Sequence, residues 1–370
     1  MNQAKIYLPG LNGIRAIAAI GVVVSHITRR GMDFGLNPYL FGSDNGDTVG
    51  WDLAEFGVTM FFALSGFLVT YLLLFEKEQG TISIAKFYAR RALRIWPLYY
   101  LYILACILVW YLFSISLQSD SFWFYIFFSA NVPFILSTTM PFLIHYWSLG
   151  VEEQFYFFWP WLVKWSKKKL VRTIIILIVL MVGMKLFLHF FYPNSLLEKI
   201  IHVTRFHCML AGALTATWYY NKNELFIRTT TNKILQLISW VGFGIIALNK
   251  FHFASVLDNE LCAIITCIII VGQIESKGII NLENKFFDLV GKWSYGIYVI
   301  HPIIIFLFST FLKNSTPYLF LNYLIVYGAI FGATLLLAGL SYRFYERPFL
   351  RLKIRRFTVV QSSNSRSEMN

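Results

Sequence analysis

An arginine and a histidine stand inside the first hydrophobic segment, Leu11 to Ile27, which reads LNGIRAIAAIGVVVSHI. Arg15 lies near its start and His26 near its end. On a helix, eleven residues are about three turns, so both side chains share a face and sit about 16 Å apart along the axis. Ionisable groups at membrane depth are costly and usually face a polar cavity that has a task. The bland alternative is an interfacial histidine and an arginine that snorkels to lipid headgroups.

Five further stretches carry candidates. In FGVTMFFALSGFLVTYLLLFEK (56–77), Gly57, Ser65 and Gly66 are small residues among Phe and Leu, suited to close helix packing or to a cavity wall. In KFYARRALRIWPLYY (86–100), Arg90, Arg91 and Arg94 cluster, and Arg91 and Arg94 are neighbours on one helical face. Such a cluster is either a topology signal or a set of guanidinium forks for phosphate oxygens. In HYWSLGVEEQFYFFWPWL (145–162), Ser148 precedes Glu152 and Glu153; of two adjacent acids, one at most is expected to face the interior. A helix-dipole role for them is the alternative. Trp147, Tyr156, Trp159 and Trp161 read as an interfacial belt or as sugar-stacking rings. In LVGKWSYGIYVIHPIIIF (289–306), Ser294, Tyr295, Tyr298 and His301 share one segment, and His301 rivals His26 as a base. In SYRFYERPFLRLKIRR (341–356), Glu346 beside Arg347 suggests an Arg–Glu clamp at a helix end.

The elements that position these residues are expected to be membrane helices. The chain is 57% hydrophobic and 14% charged, with a mean hydropathy of +0.60. Apolar runs near the ~20 residues of a bilayer span recur along it. The fold expected is an all-α integral membrane protein with about ten transmembrane helices, near 11–28, 53–75, 95–115, 143–164, 173–192, 204–220, 233–249, 256–273, 289–311 and 321–343. The first apolar segment lacks a small-residue cleavage site, so it is expected to persist as a helix. The segment 121–138 is broken by Asn131 and Pro133 and is read as re-entrant or interfacial. With both termini cytoplasmic, about 24 Lys and Arg fall in inner segments and about 6 in outer ones, the asymmetry that sets orientation. The net charge of +13 is therefore topological or lipid-binding, and no nucleic-acid partner is expected. The four cysteines lie in apolar segments without a CxxC pair, so neither a disulfide framework nor a metal site is expected. Residues 1–350 are read as one membrane domain and 351–370 as a basic cytoplasmic tail with a disordered end. No repeat or appended soluble domain is visible.

In order along almost the whole chain, LNGIRAIAAIGVVVSH, GVTMFFALSGFLV, RRALRIWPLYY, WSLGVEEQFYFFWP, SYGIYVIHP and YERP resemble the acyltransferase-3 family of bacterial membrane proteins. The family's first motif usually begins Leu-Asp-Gly; Asn12 departs from it, which removes any role needing a carboxylate there. Many relatives also carry an extra soluble domain. The resemblance implies O-acyl transfer, most often of acetyl, from cytoplasmic acetyl-CoA or another acyl-CoA to a hydroxyl of an extracytoplasmic or lipid-linked glycan (exopolysaccharide, capsule or O-antigen) at the bacterial inner membrane. It makes His26 the general base, with Glu152 as a second catalytic residue in a motif shared with Ser148. It assigns Arg15, Arg91 and Arg94 to the donor. Ser65, Tyr298 and His301 remain further candidates, Ser65 and Tyr298 as donors to an oxyanion. The residues agree: a neutral histidine suits proton removal from a sugar hydroxyl near pH 7. Direct transfer and a covalent acyl-enzyme both stay open, as do a succinyl donor and a non-glycan acceptor. A polysaccharide or lipid-linked sugar transporter is the rival class, and oligomeric state is unreadable.

Overall fold

The computed structural model describes residues 5–6, 8–37, 43–44, 47–48, 52–80, 82–117, 119–166, 169–247, 256–313, 316, 318–357 and 361–362. Apart from two-residue strand pairings, the regular structure is helical. One pairing, Lys5–Ile6 with Gln361–Ser362, sets the two chain ends side by side.

The chain begins with α1 (Leu11–Arg29), α2 (Leu53–Glu78) and α3 (Ile84–Leu112). Ser83 caps α3 by accepting from the amide of Lys86, at 3.4 Å. Two five-residue helices follow, α4 (Phe122–Ile126) and α5 (Asn131–Ile135). Then come α6 (Tyr146–Trp165), α7 (Leu170–Phe191), α8 (Leu196–Thr204), α9 (Phe206–Tyr220), α10 (Glu224–Thr230), α11 (Lys233–Ala247) and α12 (Asp258–Ile274). The chain closes with α13 (Lys285–Phe311), α14 (Leu319–Leu340), a π-helical turn at Ser341–Glu346 and α15 (Arg347–Phe357).

Helices occupy all ten expected positions. Among the described residues, six helices are long and apolar enough to cross a membrane: α1, α2, α3, α7, α13 and the continuous Leu319–Phe357 rod. The segment 121–138 holds only α4 and α5, each spanning roughly 8 Å. α4 is pinned from α3, where the Tyr99 hydroxyl donates to the Tyr125 carbonyl (2.6 Å) and Tyr100 to that of Ile126 (3.0 Å). α15 crosses the boundary expected at 350; its Leu350 and Ile354 are buried, and Arg90 donates to the Phe357 carbonyl at 2.9 Å. Most of the expected disordered end lies outside the described residues.

The interior is largely apolar, but so is much of the surface, and several polar groups are buried. Leu104, Tyr111, Val179, Leu180, Phe190 and Phe320 are more than 60% exposed, while Ser25, Thr59, Thr70, Thr266, His301 and Thr334 are fully buried. That is what lipid as solvent selects, because helix association there relies on close contact and internal hydrogen bonds. α2 and α9 cross through Gly66 and Gly212. A Cβ at Gly66 would lie 1.9 Å from the Met209 carbonyl oxygen, and one at Gly212 1.9 Å from that of Ala63. α13 meets α1 in the same way, with Gly291 against the backbone of Asn12.

Candidate active site

One cavity opens among α1, α2, α3, α6 and α13. It is lined by Arg15, Ser65, Arg91, Arg94, Ser148, Glu152, Tyr156 and Tyr298, among others. Its cavity volume is about 90 Å³, and the non-atom space with the open mouth included is about 740 Å³. Helical periodicity explains the convergence: Ser65 points across the bundle while its neighbour Gly66 faces α9. Ser148, Glu152 and Tyr156 repeat at four-residue spacing, so α6 presents one polar stripe to the cavity.

Glu152 is fixed at both oxygens, accepting from Ser65 Oγ (3.0 Å) and from the Tyr156 hydroxyl (3.1 Å). Glu153 points elsewhere, and its Oε1 is buried without a hydrogen-bond partner. Arg91 stacks over the rings of Tyr156 (5.3 Å) and Phe87 (5.7 Å), with its Nε buried and unpartnered. Arg15 Nη1 reaches Asn12 Oδ1 at 3.4 Å, Asn12 Nδ2 donates to Asp288 (2.7 Å), and Lys292 holds the other oxygen of Asp288 (2.6 Å). The carboxylate that Asn12 lacks is thus supplied one residue further along the relay. Among the described residues, none of Arg15, Arg91 and Arg94 sits in an ion pair. Arg90 differs from them: it pairs with Glu76 at 2.5 Å and lies outside the cavity.

A layer of three histidines lies behind this cavity. His26 Nδ1 and His301 Nε2 are 2.7 Å apart, their rings stacked at 4.9 Å. His145, at the start of α6, stands edge-on to His301 with ring centres 5.5 Å apart, and its Nε2 is buried without a partner. Tyr298 links cavity and layer: its hydroxyl donates to the His145 carbonyl (2.8 Å) and meets Ser148 Oγ (2.6 Å), while its ring lies 6.2 Å from that of His301.

The structure therefore divides the sequence candidates into two groups. Arg15, Ser65, Arg91, Arg94, Ser148, Glu152 and Tyr298 share the cavity. His26 and His301 pair with each other one layer away, and neither lines the cavity. Three of the four aromatics read as a belt are core residues instead: Trp147, Tyr156 and Trp159 are at most 8% exposed. Glu346, read as a clamp with Arg347, accepts from Ser341 Oγ at 3.0 Å.

Sequence reasoning passed over His145 and gave Tyr156 only a belt or sugar-stacking role; the three- and eight-residue offsets of these two from Ser148 were the available signal. It also missed a buried network beside Trp147. There Arg205 pairs with Glu55 (2.9 Å), Asn259 bridges them, and Lys185 and His207 both contact Glu260 (2.7 and 2.9 Å). Arg205 also lies over the Trp147 ring at 5.3 Å.

Comparison with known proteins now bears on this geometry. The family described as Acyltransferase domain matches residues 8–343. Two O-acetyltransferases OatA of Staphylococcus aureus are similar over nearly all of the chain. That of strain MRSA252 is 26% identical across 97% of this chain and 60% of its own length. That of strain NCTC 8325 / PS 47 is 26% identical across 96% and 59%. The chain thus spans about six tenths of the length of these curated relatives. No solved structure matches. The chain belongs to this acyltransferase family, whose domain spans residues 8–343.

Proposed function

We propose that this member of the acyltransferase family moves an acetyl group from cytoplasmic acetyl-CoA to a hydroxyl of an extracytoplasmic or lipid-linked glycan. The observation that carries the reading is the convergence of three guanidinium groups, free of ion pairs among the described residues, on a cavity backed by a histidine layer. Arg15, Arg91 and Arg94 are half-buried, and ionisable groups left unpaired at membrane depth are costly, so their persistence argues for an anionic ligand. Guanidinium forks match phosphate oxygens through charge-assisted bonds. A nucleotide-bearing thioester has those phosphates. The relatives' printed name, O-acetyltransferase, supports acetyl as the group moved.

In this reading α1 spans ten-helix topology from a cytoplasmic Arg15 to an outward His26, with both termini inside. Arg15, Arg91 and Arg94 grip the donor's phosphates. Glu152, fixed by Ser65 and Tyr156, offers its remaining lone pairs to amide N–H groups of the donor's arm. His26 removes the proton from the acceptor hydroxyl as its oxygen attacks the thioester carbonyl. The tetrahedral oxyanion then collapses, the carbon–sulfur bond breaks, and the thiolate recovers the proton from His26. The Tyr298, Ser148 and Ser65 hydroxyls are the side-chain donors that would turn toward the oxyanion, the first two away from the His145 carbonyl and the third away from Glu152.

The test is transfer of radiolabelled acetyl from acetyl-CoA to membrane glycolipid by purified protein, with His26→Ala alongside. Label on glycolipid with wild type and loss by at least about 100-fold with the variant is expected. Full transfer by His26→Ala would remove it as the base. No donor turnover by folded protein given an acceptor would remove the reading itself.

A further inference from the structure

The second histidine of the pair has a hydrogen-bond pattern that leaves little freedom. His301 is fully buried, and its Nδ1 lies 3.1 Å from the carbonyl oxygen of Ile297, one turn earlier on α13. A carbonyl only accepts, so Nδ1 of His301 carries the hydrogen. In a neutral imidazole the other nitrogen, Nε2, is then an acceptor. That nitrogen faces His26 Nδ1 at 2.7 Å, so His26 must be the donor across this contact. Its own Nε2 is left with the lone pair. The reverse assignment would set a His301 lone pair against the Ile297 carbonyl.

We propose that His301 is a positioning residue that holds His26 as its Nδ1–H tautomer and so keeps Nε2 of His26 free to accept a proton. It keeps the same protonation state throughout, acting as a backbone-anchored acceptor. When His26 takes a proton on Nε2, the resulting imidazolium still donates from Nδ1 to His301. The catalytic consequence rests on the acyl-transfer reading above; the tautomer assignment does not.

Two measurements separate the two. The first is the nitrogen spectrum of ¹⁵N-histidine-labelled protein, with His26 assigned by its loss in His26→Ala. Wild type is expected to show His26 protonated at Nδ1 and bare at Nε2. His301→Phe, which keeps the ring but removes the acceptor, is expected to give a mixture of tautomers. His301→Gln, whose amide oxygen can accept, is expected to restore the wild-type pattern. A wild-type His26 protonated at Nε2, or a pattern unmoved by His301→Phe, overturns the inference whatever the enzyme's activity. The second is transfer kinetics. His301→Phe should lower kcat on the order of 100-fold with an unchanged KM for the acyl donor, and His301→Gln should recover most of it. Equal loss in both variants, or unchanged kcat in His301→Phe, would count against a tautomer role.

Discussion

Arg90 and Arg91 are adjacent in sequence and opposite in task. Arg90 is bound to Glu76, whose side chain is 4% exposed, so its removal strands a buried carboxylate. Arg90→Ala is expected to cost about 3–5 kcal/mol of stability, read as a lowered melting temperature in detergent. Arg91 meets only aromatic faces and leaves Nε unsatisfied. Arg91→Ala and Arg94→Ala should each weaken coenzyme A binding by roughly 10- to 100-fold, the weight of one charged hydrogen bond, with melting little changed. Equal binding by Arg91→Ala and wild type in calorimetry would take Arg91 out of the phosphate site. The one-face spacing of Arg91 and Arg94 was legible in the sequence, because helical geometry dictates it. The pairing of Arg90 was not, because Glu76 reaches it from another helix. His145 was illegible for a similar reason: its relation to His26 and His301 exists only once three helices meet.

At the scale of elements, the cavity depends on helices crossing closely enough to bring their polar stripes together. The α2–α9 crossing shows how narrow that tolerance is. Gly66→Ala would push a methyl group into the Met209 carbonyl oxygen, which is backbone and cannot step aside. Overpacking typically costs 1–3 kcal/mol, and a backbone clash belongs at or above about 3 kcal/mol. The displaced α2 would also carry Ser65 away from Glu152, so transfer should fall together with thermal stability. A variant with normal melting and normal transfer would show that α9 can move without disturbing the cavity. The sequence marked Gly66 as small among large residues and so announced a crossing. It did not name the partner, because Gly212 lies far along the chain. The broken character of 121–138 was legible from Asn131 and Pro133. The anchors were less so: Asn131 exchanges amide hydrogen bonds with Gln154 (2.8 and 3.2 Å), and Tyr99 and Tyr100 hold the rest.

For the whole molecule, the question is which mouth faces which side. Charge asymmetry predicts the arginine end inside and the histidine end outside. Among the described residues, length and apolarity together support only six crossings, because α9, α11 and α12 run 15 to 17 residues and the 20-residue α6 is not apolar enough. Short helices can nonetheless serve when their ends are buried in protein, where irregular backbone is tolerated. The Arg205–Glu55 and Lys185–Glu260 pairs satisfy polar groups at the ends of α2, α7, α9 and α12 in this way. Thiol accessibility decides the matter cleanly, since all four native cysteines are buried and give little background. Met32, 73% exposed just after α1, and Lys222, exposed in the turn between α9 and α10, lie beyond opposite ends of the bundle in the ten-span reading. In intact cells a membrane-impermeant maleimide should label Met32→Cys and spare Lys222→Cys until the membrane is opened. The reverse pattern would put His26 on the cytoplasmic side, and the glycan would then have to be acylated before export. Labelling of both in intact cells would break the odd number of crossings, five in the ten-span reading, between them. In the ten-span reading, the even total is what puts the paired chain ends and the basic loops on one side of the membrane.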